Sequence, residues 1–104
     1  TATVTIKRIA KWYNAPVGLG QAWVNVTAHR TFMTTYTNST GRAIEVNCIL
    51  YTGRFSTLAV DSLHVSQGRT EVGNFKVDTT LVAIIPQGAA YQVSEKFDIW
   101  TELR

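Results

Sequence analysis

The side chains able to do chemistry are few and scattered. Histidine occurs twice, as His29 and His64, and cysteine once, as Cys48. A zinc site needs several His, Cys or carboxylate ligands brought together. Neither histidine has such residues at metal spacing, and no H-x-H pattern is present. Nucleophilic catalysis needs a Ser or Cys, a base and an orienting acid. No G-x-S-x-G occurs, and Cys48 falls on the apolar side of its segment, where a free thiol packs as a small hydrophobe. Glycoside hydrolysis needs two carboxylates facing each other across a sugar. Glu71, Asp78, Glu95, Asp98 and Glu102 are available, but their pattern is that of solvated strand faces and loops. The expectation is a protein that is not an enzyme and uses no metal or cofactor.

The totals point the same way. The 104 residues suit one domain. Charged residues make up only 16% of the chain, against about 25% in ordinary soluble domains. A neutral surface suits self-association or uncharged ligands. The net charge of +3 is dispersed, with no basic run longer than Lys7-Arg8, so nucleic-acid binding is not expected. A single cysteine rules out an intrachain disulfide. No signal peptide is recognisable, and no apolar run approaches the ~20 residues of a membrane helix, so membrane insertion is not expected. Thr1 stands where an initiator Met would be, so the chain is expected to be processed or cut from something longer.

The scaffold that must position any binding residues reads as β throughout. Thr35–Val46 is the organising stretch. A Thr-rich run reaches Asn38-Ser39-Thr40-Gly41, whose side chains and glycine suit a turn. It returns with Ile44, Val46, Cys48 and Leu50 on one side and Glu45 and Asn47 on the other, the period of a half-buried strand. Further strands are predicted at Trp23–Thr27, Thr31–Thr37 and Asn74–Ile85, with a tight hairpin over 57–66 and a loop over 67–73. Tyr91 and Val93 mark another strand. In the last, Phe97, Ile99 and Leu103 are expected inward, and Asp98, Trp100 and Glu102 outward. No apolar stripe at helical spacing is present. The class is all-β, an antiparallel sandwich or barrel. Residues 1–20 read as a lead-in and 21–104 as the domain.

If consecutive strands run antiparallel, the turns sort to two ends. The near end holds Gln21, 38–42, 61–62, 86–89 and the C-terminus. The far end gathers 28–31, 52–56, 67–73 and 94–96. Val82 and Ile84 make their strand apolar on both faces, and both faces then need burial. With Trp100 they are the candidate subunit interface.

Gly20-Gln21-Ala22-Trp23-Val24-Asn25-Val26-Thr27-Ala28-His29-Arg30, followed by Thr35-Tyr36-Thr37-Asn38-Ser39-Thr40-Gly41-Arg42-Ala43-Ile44, resembles the C-terminal domain of tailed-bacteriophage and prophage tail fibres. The turn Ile85-Pro86-Gln87-Gly88-Ala89-Ala90-Tyr91 and the end Ile99-Trp100-Thr101-Glu102-Leu103-Arg104 extend the likeness. It spans residues 20 to 104 and is weakest over 52–76. Ala43 departs from a usual Pro, and Phe32-Met33 from a smaller, Gly-containing segment. The resemblance implies a small, jelly-roll-like β-sandwich at the tip of a homotrimeric fibre, at the distal end of a virion. Its expected partners are the rest of the fibre and a bacterial surface polysaccharide or outer-membrane receptor. On that reading the far-end candidates are His29, Arg30, Tyr51, Arg54, Phe55, Arg69, Glu71 and Lys96. Arginine forks pair with envelope phosphate or carboxylate, and Tyr51 and Phe55 offer sugars an apolar platform. The alternatives are a monomeric carbohydrate-binding module and a purely structural trimerisation domain.

Overall fold

The computed structural model describes residues 16–50, 55–69, 71–72, 75–76 and 79–104. Ten strands and one short 3-10 helix follow in order: β1 Trp23–Asn25, the 3-10 turn Thr27–His29, β2 Tyr36–Thr37, β3 Ile44–Leu50, β4 Phe55–Val60 and β5 Leu63–Arg69. Then come β6 Glu71–Val72, β7 Phe75–Lys76, β8 Thr80–Ile85, β9 Ala90–Val93 and β10 Phe97–Leu103.

Eight of these strands build two four-stranded sheets, in the orders β1-β10-β3-β8 and β2-β9-β4-β5. Every neighbouring pair is antiparallel. With β6 and β7 set aside as a separate antiparallel pair, this is the order of an eight-stranded jelly roll. The expected sandwich is therefore the observed one.

The fold follows from alternation. In β3, Ile44, Val46, Cys48 and Leu50 are buried, while Glu45 and Asn47 are partly exposed. Leu81 and Ile85 of β8, Leu58 of β4, and Tyr91 and Val93 of β9 meet them between the sheets. An edge-to-face pair of Phe97 and Trp100 and the Tyr36–Tyr91–Trp100 cluster fill the middle.

The structure corrects five expectations. β1 stops at Asn25, and β2 is only two residues long; Met33, at φ 62°, breaks the strand predicted over 31–37. Residues 67–69 continue β5 instead of forming a loop. The long strand predicted over 74–85 is represented by β7 and β8 separately. In β10 the pairing shifts between Phe97 and Ile99, so Phe97 faces Leu50 and Ile99 faces Ile49. This bulge flips the rest of the strand. Trp100 and Glu102 are fully buried, and Ile99 is exposed. Trp100 is therefore core, not subunit interface.

Candidate functional site

The two ends of the sandwich are built differently. At the near end, Asn38 is the hub of the first turn. Its Nδ2 donates to the carbonyls of Arg42 at 2.8 Å and Ile85 at 2.9 Å, and its Oδ1 accepts from Thr40 N and Oγ1. Asn38 N donates to Ala89 O, and Gly88 N to Asn38 O. Gly41 supplies the φ of 94° that the turn requires. The described end of the lead-in docks here as well. Arg42 Nη2 donates to Pro16 O, Gln21 Nε2 to Ala43 O, and Gly18 N to Gln21 Oε1. Pro16 and Gln21 therefore lie beside the first turn, at the end where the strand alternation puts Gln21.

Between the sheets lies a charged centre that the sequence reading missed. The Glu102 carboxylate, fully buried, accepts from Arg30 Nε and Nη2, Arg104 Nη1, Tyr91 Oη and Trp100 Nε1. Two cations and two neutral donors replace the water a carboxylate needs. Burial opposes the Arg30 cation, but Glu102 more than offsets it and leaves the pKa raised. Burial, with Glu102 beside it, lifts Tyr91 to about 12. Arg30 also stacks on the Tyr36 ring, 4.6 Å from its centroid. Burial would raise the Tyr36 pKa; the Thr31 hydrogen bonds and the Arg30 charge outweigh it and lower it.

Arg30 is thus a structural cation with a side chain only 14% exposed, and the expectation of a free receptor-binding arginine is corrected. His29 is exposed in the β1–β2 connection. That connection crosses the side of the sandwich, tied by Val26 N to Trp100 O and by Met33 N to Val93 O. Cys48 is buried, and burial pushes its thiol up to about 12, which removes it as a nucleophile.

The far end brings together Phe55, Arg69 and the 94–96 turn. Phe55 and Arg69 are cross-strand partners, both exposed, with the guanidinium 5.4 Å from the ring centroid. Ser94 and Ser56 brace the turn beside them. Ser94 Oγ accepts from Thr57 N, and Ser56 Oγ accepts from Glu95 N. Lys96 is exposed on that turn. Glu71 lies in β6, paired with Lys76. Tyr51 and Arg54 lie outside the described residues.

Val82 and Ile84 are exposed. Leu63 and Val65 are exposed on β5, the strand whose Ser66 meets β8. There the two sheets meet: Val82 N donates to Ser66 Oγ, and Thr79 Oγ1 to Arg69 O. The result is an apolar flank along β5 and β8, with Glu45 the cross-strand partner of Ile84. The β5 half carried a sequence signal, since Leu63 and Val65 alternate with polar residues, but nothing showed which sheet edge would lie beside it.

Among the described residues, no three His, Cys, Asp or Glu lie close enough to hold a metal ion. No described helix is long and apolar enough to cross a membrane. No family model, curated protein or solved structure matches the chain.

Proposed function

We propose that this domain is the receptor-binding tip of a phage or phage-derived tail fibre, assembled as a homotrimer, which attaches to a bacterial surface glycan or outer-membrane component without catalysing a reaction. The observation that carries the reading is the polarity of the jelly roll. The lead-in is tied to the near end through Arg42 and Gln21. The exposed Phe55–Arg69 pair and Lys96 stand at the opposite end. A shaft arriving at one end leaves the other facing outward, and loops on a rigid scaffold are where recognition concentrates. A guanidinium held over an aromatic face offers a fork for phosphate or carboxylate beside an apolar surface for a sugar ring.

The apolar flank of Leu63, Val65, Val82 and Ile84 supports the assembly half of the proposal. Burying its apolar side chains between copies would stabilise by ~25 cal/mol per Å². The same flank also favours a second reading, in which the domain only trimerises the fibre.

Sedimentation of the chain at micromolar concentration, with adsorption of the labelled protein to bacterial cells, tests both. A trimer that adsorbs supports the tip. A trimer that adsorbs to no cell supports the structural reading. A monomer that adsorbs nowhere overturns both.

A further inference from the structure

The two sheets present unlike outer faces. Trp100 and Cys48 pair across β10 and β3 and turn inward, so the residues on either side of them turn outward. The register then builds one outer face from four strands. Leu103 pairs with Trp23 on one side and Glu45 on the other, and Glu45 pairs with Ile84. Further along, Asn47 pairs with Val82 and Ile49 with Ile99. Trp23 is 51% exposed, and Ile49, Val82, Ile84 and Ile99 are exposed with it. On the other sheet Val60 and Tyr91 turn inward. Its outward positions Thr37, Ala59, Ala90, Gln92 and His64 are small or polar, with Phe55 at the far end. An antiparallel sheet commonly packs one face and leaves the other to water. β2-β9-β4-β5 does so, whereas β1-β10-β3-β8 carries large apolar side chains on both faces.

We propose that the outer face of β1-β10-β3-β8 packs against further copies of this chain about a threefold axis. The inference rests on the reading of the domain as an assembled fibre end. It moves the contact from the β5 flank onto the sheet itself, with Trp23 as the anchor, since a Trp supplies a large and rigid contact area. Three observations select the occupant. The turn over 16–20 lies on this face: a Cβ on Gly18 would stand 4.0 Å from Leu103 Cδ2. Three lead-ins gathered into one shaft bring the faces they lie on toward the axis. Charge is sparse as well. At the cross-paired outward positions of these described strands Glu45 is the one ionised side chain, and it stays half-exposed in the row nearest that turn. The third observation is size. Four strands ~4.8 Å apart and five residues long give a face of about 19 by 17 Å. A free-standing pair takes ~800 Å² from each partner, more than this face offers. A threefold set, in which two neighbours hold each copy and the shaft keeps all three close, does not need so much. Association of the chain away from a shaft is then weak, with dissociation on the order of 100 µM.

The test is sedimentation equilibrium of the full chain from about 10 µM to about 1 mM. The expected result is reversible monomer–trimer association within that range. Trp23→Ser and Ile49→Lys should each weaken it at least about tenfold, while Gln92→Lys on the other outer face leaves it unchanged. Urea midpoints report whether each variant is folded; if Ile49→Lys is not, Trp23→Ser at its exposed edge position decides. Folded face variants that associate like the native chain overturn the proposal. Association lost with Leu63→Lys but kept in the face variants also overturns it, giving assembly to the β5 flank and leaving the tip reading intact. A dimer in place of a trimer overturns the threefold arrangement. A native chain that stays monomeric to about 1 mM overturns the face, and its adsorption to bacterial cells then decides the tip reading separately.

Discussion

Replacing Glu102 with Gln tests the buried charge centre. Glu102 is inaccessible to water and sits 3.2 Å from Arg30 Nη2 and 3.0 Å from Arg104 Nη1. Tyr91 Oη and Trp100 Nε1 donate to the same oxygen, at 2.9 and 3.1 Å. Gln keeps the shape but removes the charge, and points an amide donor where only donors already converge. Breaking a buried pair costs about 3–5 kcal/mol, because the surviving cation stays buried without its counter-charge. Domains of this kind have only about 5–15 kcal/mol in total. With a urea slope of about 2 kcal/mol per M, the unfolding midpoint should fall by about 2 M. Removing the stranded cation should recover part of the loss, so Glu102→Gln with Arg30→Met should unfold later than Glu102→Gln alone. The assay is equilibrium urea unfolding followed by tryptophan fluorescence, to which Trp100 reports directly. A loss under about 1 kcal/mol, typical of exposed pairs, would refute the assignment of Glu102 as the buried anchor.

Three further outcomes follow from the packing. A Cβ on Gly68 would collide with Thr79 Cγ2, so Gly68→Ala should destabilise by about 1–3 kcal/mol. Adding Thr79→Ser, which removes the methyl but keeps the hydroxyl that donates to Arg69 O, should restore most of it in urea unfolding. Asn38→Ala should cost about 3 kcal/mol, since one side chain serves the carbonyls of Arg42 and Ile85 and the amide of Thr40. Alkaline pH should destabilise the fold. Burial holds the Cys48 and Tyr91 protons to about pH 12 in the native state, from ordinary values of 9.0 and 10.0, so the unfolded chain releases them first. Stability from Cys48 is full below about pH 9 and from Tyr91 below about pH 10, and each falls from there to about pH 12 by about a kcal/mol per pH unit. Tyr36, with its pKa lowered, acts in the opposite sense. Unfolding midpoints that stay level from pH 8 to 11 would contradict this.

Much of the architecture was legible because period two is a strong signal. β3 could be read residue by residue, and the Asn38–Gly41 turn by its chemistry. Strand alternation alone sorted the loops to two ends, and the jelly roll keeps that sorting. β10 was read backwards, for a physical reason. A carboxylate at 102 looks solvent-facing in any linear pattern, and nothing local to Trp100 and Glu102 announces a bulge at Asp98. Burial of Glu102 depends on Arg30, distant in the chain, and on Tyr91 across the sandwich. For the same reason Arg30 was read as a loop cation. The Phe55–Arg69 pairing needs a cross-strand register that neither residue encodes alone.

On the proposed function, recognition happens at the end opposite the lead-in. The most direct measurement is adsorption of the labelled chain to a panel of bacterial cells and envelope polysaccharides, comparing the native sequence with Phe55→Ala/Arg69→Ala at equal oligomeric state. The native chain should bind at least one surface, and the double variant, still folded, should lose that binding. Unchanged adsorption by the double variant would contradict it.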